Sequence, residues 1–299
     1  MNCPICNAIN LDEREKYKEF TLFHCNNCDV YFWYPLKHPG QKFYETSELH
    51  EIKGEKKLQW RHKQFLKDPV LKSGKFLDIG CGTGEFLNEV KNLGIDVWGT
   101  DIAPRQINFA KERYGFKNIF VNTLTEFVKS RPYKFDAISF FEVLEHLDNP
   151  KEFIANVKEI LNPSGLIIFS VPNTERVGMG KEPEETPPNH LFRWTKKSIT
   201  NFLKQENFDI LKIVEQPFSK DFFFTTGFFS MGLANRIKKE TIKNSVIDKR
   251  DKNIKLSIVS CLASVKNSVL VPISYILAIF PRMLGYKYWD LYVVAQLKE

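Results

Sequence analysis

Apolar and polar positions along the middle of the chain predict strands and helices in regular alternation. Five short apolar runs have the length of buried strands: 76–79, 97–100, 119–121, 137–141 and 166–171. Helical patterns fall between them, at Glu85–Asn92, from Pro104 to before Gly115 and from Pro150 to about Leu161. Alternation at these lengths predicts an α/β fold with a parallel sheet and helices on both faces.

A Pro-rich loop, 172–189, interrupts this alternation, and its Glu and Pro residues suit a lid. A helix capped by Thr195 follows, then a sixth strand at 208–215 and a last strand at 291–297. We therefore predict a doubly wound, mostly parallel, seven-stranded Rossmann-like sheet. Its domain spans residues 75–218 and 286–299.

Three further segments flank or interrupt this domain. Residues 1–36 form a cysteine module that ends in an aromatic run, 31–34, expected to be a strand packed on the larger domain. Residues 37–74 form a helical connector, with a helix predicted at 55–67. Residues 219–285 form an insert before the last strand that is apolar, then basic, then apolar again.

Charge is distributed unevenly along the 299 residues, whose net charge is +7. Residues 1–36 have a net charge of −2, whereas residues 236–255 have a net charge of +5. The basic character is therefore local, which disfavours nucleic acid as a partner of the cysteine module. An apolar content of 43% is enough for a full core, and no run reaches the roughly 20 apolar residues of a membrane span.

The first strand leads into the glycine-rich sequence Asp-Ile-Gly-Cys-Gly-Thr-Gly-Glu at 78–85. Such a turn lets a ligand approach the backbone at the carboxyl edge of the sheet. Asp78 and Glu85 flank the turn, and Glu85 replaces the third glycine of a dinucleotide fingerprint. Carboxylates would repel a pyrophosphate but stabilise a cation such as a sulfonium. Asp101, after the second strand, can accept hydrogen bonds from ribose hydroxyls, although it could also cap the next helix.

These motifs resemble class I S-adenosylmethionine-dependent methyltransferases, and 135–150 resembles the fourth-strand motif of the ubiquinone-biosynthesis members. The resemblance covers about residues 70–216 and 288–298. It implies that the methionine moiety lies near the glycine turn, the ribose at Asp101 and Ile102, the adenine at Thr123 and Leu124, and the sulfonium near Phe141 and Glu142. The implied cofactor-binding residues near the turn are Asp78, Gly80, Cys81, Gly82 and Gly84. This family often has an acid near 122–123, where Asn122 and Thr123 stand here.

Two Cys-x-x-Cys pairs, Cys3/Cys6 and Cys25/Cys28, have the spacing of a structural Zn²⁺ site with four thiolates. Disulfides or free thiols are the alternative. No apolar leader follows the initial Met, so we expect a reducing, cytoplasmic location. The module resembles the zinc ribbon found at the N-terminus of some bacterial methyltransferases. His24 is interpreted as an exposed loop histidine rather than a ligand.

Methyl transfer needs an aligned acceptor and often a proton acceptor, a role that suits histidine near neutral pH. His146 follows the fourth strand and His190 follows the fifth, so both are expected at the ligand edge. The alternatives are a structural role for His146 and a loop-anchoring hydrogen bond for His190. Their neighbour Glu145 could contact substrate or brace the following helix. The candidate catalytic residues are thus His190, His146 and Glu145.

The insert combines Phe-rich, basic and apolar runs over 222–281, which is the composition of an interfacial membrane element. It could rest on the inner face of an anionic membrane, or pack on the sheet or in a homodimer. The expected function is methylation of an oxygen, with carbon or nitrogen as the alternatives, on a small or lipid-linked acceptor such as a sugar or quinone-like phenol. The alternatives are a zinc-ribbon RNA methyltransferase and a non-enzymatic, cofactor-binding membrane scaffold.

Overall fold

The computed structural model describes residues 1–40, 43, 57–130, 133–176, 185–219 and 271–299. The chain divides into two compact units. The larger comprises Met1–Glu215 and Trp289–Glu299, and the smaller comprises Gln216–Tyr288. The domain boundaries expected from the sequence stay a prediction.

The N-terminal module of the larger unit contains three antiparallel strands: β1 (Leu11–Tyr17), β2 (Phe20–Cys25) and β3 (Tyr31–Tyr34). The predicted aromatic strand is β3, whereas β1 and β2 were not predicted. His24 lies within β2 and is nearly buried, stacked on Tyr31 at 4.2 Å between ring centroids. The interpretation of His24 as an exposed loop residue is therefore wrong.

Eight further strands follow: β4 (Lys75–Ile79), β5 (Asp96–Asp101), β6 (Ile119–Val121), β7 (Phe135–Phe141), β8 (Leu161–Pro172), β9 (Phe192–Arg193), β10 (Phe208–Pro217) and β11 (Lys287–Leu297). All except β9 form one seven-stranded sheet in the order β10-β11-β8-β7-β4-β5-β6. The strands β4 to β8 pair in parallel, and β11 runs antiparallel to β8. The predicted doubly wound, mostly parallel sheet is confirmed. The short strand β9 instead extends the N-terminal sheet by pairing with β3.

The helices are α1 (Trp60–Lys67), α2 (Glu85–Asn92), α3 (Pro104–Tyr114), α4 (Leu124–Ser130), α5 (Pro150–Ile160), α6 (Lys196–Gln205) and α7 (Val271–Met283). A 3₁₀ turn, Leu144–His146, follows β7. Local chemistry explains three starts: Pro104 opens α3, Asn149 caps α5, and Thr195 caps α6 through the amide of Ser198.

Two apolar clusters cover the two faces of the sheet, because successive strand residues point to opposite sides. Leu77 and Ile138 belong to one cluster, and their neighbours Phe76 and Ala137 belong to the other; all four are fully buried. The N-terminal module shares the first cluster through Phe32 and Trp33. The carboxyl edge of the parallel strands is left open between these layers.

The predicted helices differ from the structure in two places. The helix expected at 55–67 begins at Trp60, and residues 57–59 before it are not helical. Residues 51–56 lie outside the described part of the chain. Helix α4 was not predicted. Most of the insert, 220–270, and part of the expected lid, 177–184, also lie outside the described residues. None of the described helices has both the length and the apolarity to cross a bilayer.

Candidate functional site

The glycine turn joins the buried strand β4 to helix α2. Gly80, Gly82 and Gly84 all have positive φ angles, of 76°, 55° and 83°. A Cβ atom on Gly84 would lie 2.9 Å from the ring of Phe116 and 3.0 Å from the Cβ of Ala110. This backbone therefore needs glycine both for its φ and for its close packing.

A cavity of about 770 Å³ opens at this turn and extends along the ends of β5, β6 and β7. It is lined by almost all the expected cofactor-binding residues: Asp78, Gly80, Cys81, Gly82, Asp101, Ile102, Thr123, Leu124, Phe141 and Glu142. Gly84 does not line the cavity; it is the N-cap of α2 and lies close to Phe116 and Ala110. The structure thus gathers residues up to 64 positions apart around one space, as the sequence predicts for a ligand at the carboxyl edge.

Asp78, at the start of the glycine turn, and Asp101, at the end of β5, have different contacts. Asp78 is buried, and its carboxylate accepts a 2.5 Å hydrogen bond from the hydroxyl of Ser139. Burial raises the pKa of Asp78 to about 7. Asp101 accepts the amides of Gly82 at 2.9 Å and Ala103 at 2.8 Å, one on each oxygen. Asp101 therefore holds the glycine turn in place through two backbone amides.

Farther along the cavity, Thr123 and Leu124 lie at the start of α4. The amide and hydroxyl of Thr123 both lie within hydrogen-bond distance of Glu126 Oε2, at 2.8 and 2.9 Å. These contacts lower the pKa of Glu126. Glu126, three residues after Thr123, therefore binds the residue predicted to contact adenine. No sequence motif identified Glu126.

The three candidate catalytic residues lie together, but only His146 lines the cavity, whereas Glu145 and His190 are buried and do not line it. The imidazoles of His146 and His190 lie 4.7 Å apart between centroids and nearly perpendicular. His146 lines the cavity, and its Nδ1 lies 2.7 Å from the carbonyl oxygen of Asn189. His190 is buried, with Nδ1 3.2 Å from the carboxylate of Glu185. Because a carbonyl oxygen only accepts hydrogen bonds, Nδ1 of His146 carries the proton in this contact.

Glu145 lies beside these histidines and is fully buried. Neither of its carboxylate oxygens has a hydrogen-bond partner among the described residues, and Oε1 is 3.9 Å from His146 Nε2. Burial, together with the charge of Glu142, raises the pKa of Glu145 well above its ordinary value. Glu145 does not cap the following helix, which Asn149 does. Ligand atoms of Glu145, His146 and His190 lie within 4.8 Å of one another and could hold a metal ion.

Arg61, on α1, contributes a positive charge that sequence reasoning missed. Its Nη1 lies 3.0 Å from Asp290 and 3.6 Å from Glu142, and its side chain lines the cavity. Glu142 also accepts a hydrogen bond from Ser170. Nothing local marks Arg61, because its partners lie 81 and 229 positions away in sequence. Next to it, burial lowers the pKa of His62 to about 3, so this cavity-lining ring is neutral.

The four cysteines of the N-terminal module form a second cluster. Sγ atoms lie 3.6 Å apart for Cys3 and Cys28 and 3.5 Å apart for Cys6 and Cys25. All four sulfurs lie within 4.8 Å of one another and none is in a disulfide. Thiolates about 2.3 Å from a central zinc ion would be separated by about 3.8 Å. The cluster therefore has the donors and the size of a tetrahedral metal site.

Comparison with known proteins gives one family. Residues 49–213, more than half of the chain, match the family described as methyltransferase domain. A ubiquinone biosynthesis O-methyltransferase of Cereibacter sphaeroides is 37% identical over 102 residues, which cover 33% of this chain and 41% of that protein. A mitochondrial protein of the same name from Schizosaccharomyces pombe is 25% identical over 182 residues, covering 55% of this chain and 65% of that one.

A solved structure described as an S-adenosylmethionine dependent methyltransferase, from Listeria monocytogenes, shares the fold. Its TM-score is 0.50 at 14% identity, over 80% of this chain and 97% of that one. The chain spans only about two fifths of the length of the Cereibacter relative. Residues 49–213, which match the family, contain the glycine turn, Asp101, Glu145, His146 and His190.

Proposed function

The chain belongs to the methyltransferase domain family, and from that premise we propose that it transfers a methyl group from S-adenosylmethionine to a hydroxyl oxygen of a small or lipid-linked acceptor. A quinone-like phenol is the favoured acceptor because relatives that match part of the chain are named ubiquinone biosynthesis O-methyltransferases. A sugar hydroxyl is the second candidate.

The observation that carries this proposal is a set of acids around a glycine turn with an imidazole opening onto the same cavity. Asp78, Asp101 and Glu142 line the space in which a sulfonium and an ammonium group would lie. Carboxylates stabilise both cations, whereas a pyrophosphate would meet repulsion. His146 lies on the acceptor side of the same cavity.

In the proposed reaction, Nε2 of His146 removes the proton of the acceptor hydroxyl. The carbonyl of Asn189 accepts the Nδ1 proton, which fixes the tautomer whose basic nitrogen is Nε2. The acceptor oxygen forms a bond to the methyl carbon while the carbon–sulfur bond breaks, and S-adenosylhomocysteine is the neutral-sulfur product. His190, fixed by Glu185, packs against His146 and limits its orientation.

A divalent cation held by Glu145, His146 and His190 is a second mechanism. It is favoured by the Glu145 carboxylate, which has no hydrogen-bond partner among the described residues. The hydrogen bonds at Nδ1 of both histidines would orient their Nε2 atoms as ligands. When bound, such a cation would lower the pKa of an acceptor hydroxyl. Activity that survives exhaustive chelation would reject this mechanism and leave His146 as the base.

The test uses methyl-labelled S-adenosylmethionine and a panel of catechols, polyprenyl phenols and sugars, with products identified by mass spectrometry. We expect O-methylation of a ring hydroxyl. The variants H146A and H146N both lack the Nε2 base, and we expect each to lose about 100-fold or more in kcat. S-adenosylhomocysteine binding is the matched control and should not change. Full activity of H146N would contradict the assignment, and methylation of RNA with strong salt dependence would favour the RNA alternative.

We also propose that Cys3, Cys6, Cys25 and Cys28 bind one structural Zn²⁺. The support is the close packing of four sulfurs, which leaves no coordination position open for chemistry. Elemental analysis of the purified protein should give one zinc per chain, lost in the C6S/C25S variant. Zinc-free protein with two disulfides would reject the site.

We propose a peripheral membrane contact at the cytoplasmic face through the second apolar run of the insert, whose described part is helix α7. Ile276, Phe280 and Met283 are 67%, 68% and 80% exposed. Exposed apolar side chains at this density favour insertion at a lipid interface or contact with a second copy of the chain.

Flotation with anionic vesicles tests this contact. We expect the I276E/F280E variant to lose vesicle binding. The variant L211E is the matched control, because Leu211 is a comparably exposed apolar residue (55%) on strand β10. Equal flotation of all three proteins would reject membrane contact, and dimer dissociation by I276E/F280E would favour the homodimer. Cofactor binding without turnover on any acceptor would support the scaffold alternative.

A further inference from the structure

The cysteine module shares a sheet with the acceptor side of the candidate site. Strand β9 pairs with β3 and is the fourth strand of the N-terminal sheet. Phe192 lies opposite Phe32, and Arg193 lies opposite Tyr31. The ladder continues one step farther, because the amide of Trp33 donates to the carbonyl of Leu191 at 2.9 Å. Leu191 is the residue directly after His190.

Leu191 also forms a hydrogen bond to the turn that follows β7. Its amide donates to the carbonyl of Glu145 at 2.7 Å, in the 3₁₀ turn that carries His146. The carbonyl of Asn189, one residue before His190, lies 2.7 Å from His146 Nδ1. Backbone hydrogen bonds therefore connect β3 through Leu191 to Glu145, and the carbonyl of Asn189 extends the connection to the imidazole of His146.

Side chains next to the cysteines reinforce this connection. Asp29 follows Cys28 directly, with a φ of 69°, and its amide donates to the carbonyl of Cys25. Its carboxylate accepts the hydroxyl of Thr195 at 2.7 Å on one oxygen and lies 3.0 Å from His24 on the other. Thr195 is also the N-cap of α6. The conformation of the Cys25–Cys28 turn thus determines where Asp29 meets the segment that follows β9.

We propose that the metal-bound cysteine module positions the acceptor side of the active site, by fixing 189–195 and through it His146 and His190, while the cofactor turn is held independently. The cofactor turn is braced by Asp101 and Thr100, which belong to β5. None of the described hydrogen bonds of that turn involves residues 1–36. Loss of the metal should therefore disorder the acceptor side and spare cofactor binding. This inference rests on the proposed zinc site and methyl transfer.

Three variants of the full chain test the proposal: C6S/C25S, which removes metal ligands, D29A, which removes the contact with Thr195, and E13A. The last is the matched control, because Glu13 on strand β1 pairs with the exposed Lys16 and has no described side-chain contact with His24 or Asp29. Hydrogen exchange is followed in peptides covering 189–195 and, as an internal control, 96–101. Affinity for S-adenosylhomocysteine and kcat/KM for the acceptor are measured in parallel.

We expect C6S/C25S and D29A to speed exchange at 189–195 and to lower kcat/KM for the acceptor about 10- to 100-fold. Exchange at 96–101 and S-adenosylhomocysteine affinity should match those of E13A and the unaltered chain. Unchanged exchange at 189–195 in zinc-free C6S/C25S would overturn the proposal. Equal loss of cofactor affinity would also overturn it, because the module would then stabilise the whole domain. If the unaltered chain methylates no acceptor, the proposed methyl transfer is rejected. The exchange and affinity data still decide whether the module positions 189–195.

Discussion

Replacement of Gly84 by alanine tests whether the glycine turn needs both its backbone conformation and its close packing. An alanine at φ +83° costs about 1–2 kcal/mol because its Cβ crowds the following carbonyl in the left-handed region. The added Cβ also meets Phe116 at 2.9 Å and Ala110 at 3.0 Å, and overpacking of this kind costs about 1–3 kcal/mol. We therefore expect G84A to lower the free energy of unfolding by about 2–5 kcal/mol.

The control is G94A, at the other end of the same helix α2. Gly94 has a φ of +82°, and no described atom lies within 4 Å of its added Cβ, so only the backbone cost of about 1–2 kcal/mol applies. Urea unfolding gives the two free energies, and calorimetry gives the affinity for S-adenosylhomocysteine. We expect G84A alone to weaken binding. Equal destabilisation by the two variants, or unchanged binding by G84A, would refute the packing argument.

Two further predictions concern buried side chains around the cavity. Burial holds the folded pKa of Asp78 at about 7, above its ordinary 3.8, so in this window the folded chain binds a proton that the unfolded chain releases. Stability should therefore fall as pH rises from about 4 to 7, and D78N should flatten that slope by up to about 1.4 kcal/mol per pH unit; an identical slope in both proteins would contradict the shift. Phe65 is fully buried against Phe76 and Phe86, so F65A should cost about 3–5 kcal/mol in urea unfolding, and a cost below 1 kcal/mol would show that the connector helix is not part of the core.

Local signals in the sequence were enough for much of the sheet. Helix α2 has the predicted bounds because a glycine turn and an amphipathic pattern define it. Pro104, Pro150 and Thr195 mark the starts of α3, α5 and α6 by rules that act within one turn of helix. The acids and glycines of the turn lie around one cavity because parallel strands end at the same edge.

Features that depend on distant partners could not be predicted from local patterns. Strand β9 has two residues and exists through its pairing with β3, about 160 positions earlier. Arg61 is defined by its contacts with Glu142 and Asp290, and no motif surrounds it. Glu145 was identified as a candidate, but only the fold shows that its carboxylate is buried with neither oxygen hydrogen-bonded among described residues.

We infer that acidic residues around the glycine turn select a sulfonium cofactor over a phosphate-bearing one. Isothermal titration of the purified chain with S-adenosylhomocysteine, S-adenosylmethionine and NAD tests it directly. We expect S-adenosylmethionine and S-adenosylhomocysteine each to bind at one site per chain, and NAD to give no heat. Clear heat with NAD, and none with S-adenosylmethionine or S-adenosylhomocysteine, would contradict this inference.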